Sequence, residues 1–363
     1  MNSSIFNFNF ALRTIRRGRR PTGLLMAAAL IVLVEVLLAL HPRPEYKDLV
    51  RHRLYSPAVA PDIAESIVQW QVAHATLVNE QQDLLLLGDS ACLNGLLAVE
   101  LMERTGLKTW NLGTFGFTYT TGHADILELF IERNGPPRFL IYYTSYYPLA
   151  RDRGTRAVRS WLGRLQQWLA PAERTSHLLP SLRYRRELRD SIWALGREEI
   201  GYAGLDVPRG KFGSDNEVRR ELWENRGSFP RGAEEVFPED RFEDGISWNP
   251  RFHPDCEGGL RRIAKTAREY SFPVIILFSP LPEAANSKAV RRQVADLEAN
   301  LERVFARYPG VSLYQPFLRF YPDDHCIDMR HLTFAGTKRQ TEEIARWIRD
   351  HWLGEGGGEG EAS

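Results

Sequence analysis

The stretch DLLLLGDS (Asp83 to Ser90) puts four consecutive leucines in front of a Gly-Asp-Ser triplet. An apolar run this short, closed by a turn, predicts a parallel strand buried on both faces. The pattern repeats outward from it. Residues 61–80 predict a helix before the strand, and AVELMERTG predicts an amphipathic helix after it that stops at Gly106. KTWNLGTFG reads as a second strand running into a glycine loop, TGHADILELFIERNG as a helix ended by Gly135 ahead of two prolines, and RFLIYYTSYY as a third strand. Further on, GGLRRIAKTAREYSF and PVIILFSPLP repeat helix then strand. KAVRRQVADLEANLERVFARYPG and VSLYQP do so again, and TFAGTKRQTEEIARWIRDHWL closes the pattern as a helix. Strands alternating with amphipathic helices predict an α/β fold, a three-layer sandwich with a parallel sheet covered on both faces. Ligands of such sheets bind outside the carboxyl ends of the strands, which is where Ser90 falls.

Residues 151–255 break the rhythm. They are rich in arginine, tryptophan and glycine and are too long for a simple connector, so they predict an insertion or lid within an α/β domain spanning 81–353. The tail, 354–363, has the composition of a disordered terminus. A formal net charge of +1 argues against a nucleic-acid-binding protein, which needs a basic excess. Three cysteines (Cys92, Cys256, Cys326) are too few for a disulfide scaffold, and no Cys/His spacing suggests a metal. A single Cys256–Cys326 bridge stays open for a domain in an oxidising compartment. No cofactor motif is present.

The N-terminus reads as a membrane address. Arginines 13, 16, 17, 19 and 20 in a basic segment, 1–22, precede an apolar run from Gly23 to Leu40. Those residues, rising 1.5 Å each, reach roughly 27 Å, close to the thickness of a bilayer core. The charge asymmetry predicts a cytoplasmic N-terminus and an anchor over 23–41, followed by a linker and helix over 42–80. A cleavable signal peptide is the competing reading, but its apolar region is usually shorter and no clear cleavage site follows. Glu35 inside the run either sits near the outer end or faces a membrane partner.

Ser90 would stand between a strand and a helix whose first amides can stabilise an oxyanion. It is not the Gly-x-Ser-x-Gly elbow, because Cys92 takes the place of the last glycine. A serine nucleophile needs a base, and the base needs a carboxylate to fix its tautomer. CIDMRHLTFAG offers both, with Asp328 and His331 three residues apart just before the final helix.

These blocks resemble those of the SGNH, or GDSL, hydrolase superfamily. Gly88-Asp89-Ser90 matches its nucleophile block and Asp328-Met329-Arg330-His331 its Asp-x-x-His block. NLGTFG is similar to its second block, with Gly113 the best match for an oxyanion amide and Gly116 its neighbour. The resemblance covers roughly 82–150 and 255–350, and implies a flavodoxin-like three-layer fold. It also implies Ser90 as nucleophile, His331 as base and Asp328 as its orienting acid. The Ser90 and Gly113 amides would form the oxyanion hole, with Asp89 and Gly88 in support. The superfamily's third block is usually Gly-x-Asn-Asp after the third strand, its asparagine donating to the oxyanion. Here YYTSYY stands in that place, leaving Thr144, Ser145 or a tyrosine hydroxyl as stand-in donors. The anchor makes the layout similar to membrane-tethered SGNH-like proteins that O-acylate envelope polymers, as in alginate O-acetylation and teichoic-acid D-alanylation. That implies a periplasmic domain on the bacterial inner membrane, a polysaccharide or acyl-ester substrate, and a multi-spanning O-acyltransferase as partner. An esterase and an inactive binding scaffold are the alternatives.

Other residues draw blander readings. His123 reads as a helix-start surface residue, with lining of the site as the alternative, His253 as a capping or loop residue, and His325 as a rival base lacking a carboxylate in register. Cys92 reads as packing on the helix and the tyrosines of YYTSYY as core.

Overall fold

The computed structural model describes residues 63–77, 80–146, 215–229 and 254–354, and within the expected anchor only Met26, Ala29, Leu30, Val32 and Leu33, all helical and exposed. The remainder of 23–41, the basic segment 1–22, the linker, most of the expected insertion and the tail from 355 lie outside the described residues. Among the described residues no helix is long and apolar enough to cross a membrane. The fold belongs to the compact unit formed by residues 50–169 and 204–363.

In chain order the elements are α1 (Ile63–Leu77), β1 (Leu84–Gly88), α2 (Ser90–Gly95), α3 (Ala98–Thr105), β2 (Thr109–Gly113), α4 (Tyr119–Asn134) and β3 (Phe139–Thr144). There follow α5 (Asp215–Glu224), α6 (Pro254–Glu269), β4 (Val274–Phe278), β5 (Leu281–Pro282), α7 (Lys288–Phe305), β6 (Val311–Leu313), β7 (Phe320–Tyr321) and α8 (Phe334–Ile348). Five strands form one parallel sheet in the order β2-β1-β3-β4-β6.

The four leucines of β1 show why the sheet has two covers. Side chains alternate along a strand, so an unbroken apolar run must meet apolar partners on both faces. Leu85 and Leu87 join the core built with α1, α4, α6 and α7, whereas Leu84 and Leu86 join the one built with α2, α3 and α8. All four are fully buried, each worth ~2 kcal/mol of hydrophobic transfer. The result is a three-layer α/β arrangement.

Local chemistry sets the element ends. Gly106 closes α3 with φ 69°, its N–H donating to Met102 O at 2.8 Å. Thr333 caps α8, its hydroxyl accepting from Gly336 N at 3.2 Å. A small parallel pair, β5 with β7, was not foreseen, being only two residues long on each side.

β2 is an edge strand, and the chain after α5 seals it. The Asn111 N–H donates to Arg226 O at 2.9 Å, and Gly227 lies so close that a Cβ would stand 2.0 Å from Asn111 O. Its φ of 88° independently favours glycine.

The switch point of the sheet lies at β1, because the chain leaves it towards β2 on one side and returns to β3 on the other. Gly88 ends β1 there, and a Cβ on it would stand 1.7 Å from Tyr143 O. Gly88→Ala should therefore force β1 and β3 apart. We expect it to lower the unfolding free energy by about 1–3 kcal/mol or more in urea titrations. An unchanged unfolding midpoint would contradict this packing.

Candidate active site

Beyond Gly88 the chain turns through Asp89 into α2. Asp89 is extended, with φ −90° and ψ −160°, and its Oδ1 accepts the Ala91 N–H at 2.9 Å, capping the helix. This puts Ser90 at the first helical position, half-buried at the carboxyl edge of the sheet.

The other end of the chain reaches the same edge. A turn from Cys326 to Leu332 closes on itself through Ile327 N to His331 O at 2.8 Å and a bridge between Cys326 and Leu332. Inside it, Asp328 Oδ1 accepts the backbone N–H groups of Arg330 (2.6 Å) and His331 (2.8 Å). That leaves the carboxylate facing the imidazole, with His331 Nδ1 at 2.9 Å from Oδ2 and 3.1 Å from Oδ1. His331 Nε2 lies 2.8 Å from Ser90 Oγ, across 241 residues of sequence. The tautomer that satisfies both contacts carries its proton on Nδ1, so Nε2 accepts from the serine hydroxyl.

α8 holds the turn in place. Gly336 admits the His325 carbonyl, which would stand 2.2 Å from a Cβ there. Thr337 Oγ1 donates to Asn94 O at 3.1 Å, and Thr341 Oγ1 accepts the Leu97 N–H at 3.1 Å. The helix that follows the histidine is thus bonded to the helix that begins with the serine.

Electrostatics favour a basic imidazole. Partial burial works to lower the His331 pKa. The hydrogen bond and charge of Asp328, with a smaller contribution from Asp89, outweigh it and raise the pKa above the ordinary 6.5. Desolvation works to raise the Asp328 pKa, but the His331 and Arg330 hydrogen bonds and the imidazolium charge hold it below its ordinary value.

The structure brings Ser90, Asp328 and His331 together and reassigns the expected oxyanion donors. The Gly113 N–H is spent on its own strand, donating to Asn111 Oδ1 at 2.7 Å. Thr144 Oγ1, Ser145 N and Ser145 Oγ all donate to Asp89 Oδ2, at 2.9, 3.1 and 3.0 Å. These groups serve a buried carboxylate instead of facing an acyl oxygen. The physical reason is that Asp89 is only 1% exposed and must be matched by donors. The Ser90 N–H and the N–H of Gly116, which opens the 3-10 turn Gly116–Thr118 after β2, enter no hydrogen bond among the described residues.

His123 is neither a surface residue nor a site ligand. It is buried between Thr114 Oγ1 and Tyr142 Oη, both at 3.0 Å, and burial lowers its pKa to about 3. Thr114 Oγ1 in turn donates to Gly88 O at 3.1 Å, so a neutral histidine buttresses the end of β1. Cys92 donates to Asn111 Oδ1 at 3.4 Å, and burial pushes its thiol pKa well up, which removes it as a nucleophile. All three cysteines are buried and none is in a disulfide, so the Cys256–Cys326 bridge is not formed. Among the described residues no carboxylate bonds the His325 ring, and its Nδ1 is buried without a partner, so the arrangement does not favour it as a rival base. His253 lies outside the described residues.

Two residues that sequence reasoning missed complete the site. Asn111 and Ser228 bind the short helix that carries Ser90; Asn111 opens the NLGTFG block, where the glycines draw the attention, and Ser228 stands in no block.

No protein-family model matches the chain, and no curated protein matches it. Among solved structures, the chain is similar to a protein from Streptococcus pneumonia provisionally described as a platelet activating factor. The two are 11% identical over 78% of this chain and 92% of that one, with a TM-score of 0.38.

The electrostatics make a direct prediction. NMR titration of the histidine ring signals, with the His331 resonance assigned by its loss in His331→Ala, should give a midpoint above 6.5. Asp328→Asn should shift it down, because the imidazolium loses its nearest counter-charge. A wild-type midpoint at or below 6.5, or no shift in the variant, would contradict the assignment.

Proposed function

We propose that the protein is a serine-dependent acyl-ester enzyme of the SGNH type. The observation that carries the reading is the continuous relay from Ser90 Oγ through the His331 imidazole to Asp328, at 2.8 Å and 2.9 Å.

Ser90 Oγ attacks the acyl carbon of an ester while His331 Nε2 takes the hydroxyl proton. Asp328 holds the ring and stabilises the imidazolium. The oxyanion that develops is received by the Ser90 amide at the start of α2 and by the Gly116 amide in the glycine loop. Collapse expels the leaving alcohol, which takes its proton from Nε2, and leaves an acyl-serine. The second half reaction runs the same steps in reverse with a new hydroxyl as acceptor.

For that acceptor we favour a hydroxyl of an envelope or exported polysaccharide. The domain would then be a membrane-anchored, extracytoplasmic O-acyltransferase working beside a multi-spanning acyltransferase. The basic segment and apolar run before the domain support the anchored location. The hydrolytic alternative replaces the polymer hydroxyl with water. The assembled relay counts against the inactive-scaffold alternative.

A fluorophosphonate probe should label the full-length protein once per chain. Ser90→Ala should abolish labelling, and His331→Ala should slow it by on the order of 10⁴-fold. A folded protein that does not label would overturn the enzymatic reading. Incubation with an acetyl donor, with and without an O-acetylatable glycan, separates transfer from hydrolysis. Release of acetate at an equal rate in both, with no acetylated glycan, would favour the esterase.

A further inference from the structure

A helix of six residues cannot hold itself together, since nucleation in so short a segment outweighs its few internal bonds. α2 carries Ser90, so its carbonyls must find donors elsewhere, and the structure accounts for them. Cys92 O accepts from Asn111 Nδ2 at 2.9 Å, Leu93 O from Phe229 N at 2.9 Å, and Asn94 O from Thr337 Oγ1 at 3.1 Å. Leu96 O, just past the helix, accepts from Ser228 Oγ at 2.8 Å and from Asn111 Nδ2 at 3.3 Å.

Two of these donors, Ser228 and Phe229, lie in the segment expected to be an insertion, more than 130 residues after the serine. Ser228 is fully buried and makes three contacts with one hydroxyl. It donates to Leu96 O, accepts the Ala98 N–H at 3.0 Å, and accepts from Asn111 Nδ2 at 3.2 Å. Asn111 is equally buried, and its Oδ1 takes the Gly113 N–H. A single polar knot thus ties the end of the nucleophile helix to the start of the glycine loop. The segment is itself pinned to β2 by Asn111 N to Arg226 O at 2.9 Å and to α1 by Gln71 Nε2 to Gly227 O at 2.9 Å.

We infer that Asn225 to Phe229 is a positioning strap for the nucleophile, with Ser228 and Asn111 as positioning residues that act through α2 and the glycine loop. The strap touches no reacting atom. It sets where Ser90 Oγ lies relative to His331, and through Asn111 it holds Gly113, from which the glycine loop leaves β2. This rests on the reading of Ser90 as the nucleophile, and it gives part of the long insertion a defined task at the site.

The test compares wild type, Ser228→Ala and Gly227→Ala in the full chain. Gly227→Ala disturbs the strap from its other side, since its Cβ would stand 2.0 Å from Asn111 O. Two readouts are needed: amide hydrogen exchange by mass spectrometry, and turnover of a chromogenic acetyl ester per site titrated with fluorophosphonate. The inference expects faster exchange across residues 91–98 and at Gly113 in both variants, while peptides from β4 and α7 keep their protection. It also expects kcat per titrated site to fall on the order of ten- to hundredfold with KM little changed. A purely stabilising role would lower the amount of active protein and leave kcat per site intact, which overturns the inference. Unchanged exchange across 91–98 overturns it as well, whether or not the protein turns over. A wild type that shows no labelling, with exchange rising in the variants, leaves the strap standing and sinks the role of Ser90 instead.

Discussion

A carboxylate taken out of water has to be met by donors, and Asp89 gathers four of them. Ala91 N bonds one oxygen, and the Thr144 hydroxyl, Ser145 N–H and Ser145 hydroxyl bond the other. Because those donors sit at the end of β3 while Asp89 directly follows β1, the carboxylate fastens the two strands at the switch point of the sheet. The same oxygens start α2, so the place of Ser90 follows from the burial of its neighbour. Asp89 also lies near enough to His331 to help keep the imidazole basic.

The remaining framework brings two distant segments to that fixed point. α8 arrives through Thr337 and Thr341, and fixes the turn that holds Asp328 and His331. The strap after α5 arrives through Ser228 and closes both α2 and the edge of β2. Each contact is a single hydrogen bond of modest net worth, ~1 kcal/mol. Their importance lies in geometry, since each binds a group that a six-residue helix would otherwise leave unpaired.

Much of this was legible in the sequence where the signal is periodic. The four leucines announced a strand covered on both faces, the apolar spacing of α4, α6, α7 and α8 announced the covers, and Asp-x-x-His announced a histidine bonded to a carboxylate. Hydrogen-bond bookkeeping was not legible. Gly113, Thr144 and Ser145 stand at the sheet edge where oxyanion donors belong, and nothing local reveals that Asn111 and Asp89 claim them first. His123 looked like a helix-start residue because its partners, Thr114 and Tyr142, belong to two other elements. The strap escaped for the same reason: Ser228 lies in a stretch without apolar periodicity, and two of its three partners are backbone groups. A signal for it did exist in Asn111, an amide side chain in the middle of a buried strand. Such a residue must be answered by polar partners somewhere in the fold.

The central claim is that the edge of this sheet turns Ser90 into a nucleophile that carries an acyl group. Rapid acid quench of the full-length protein with an activated acetyl ester, followed by peptide mapping, tests it most directly. The account predicts a 42 Da acetyl adduct on the peptide containing Ser90, formed within one turnover and absent when Ser90 is alanine. An adduct on another residue, or ester turnover that survives Ser90→Ala undiminished, would contradict it.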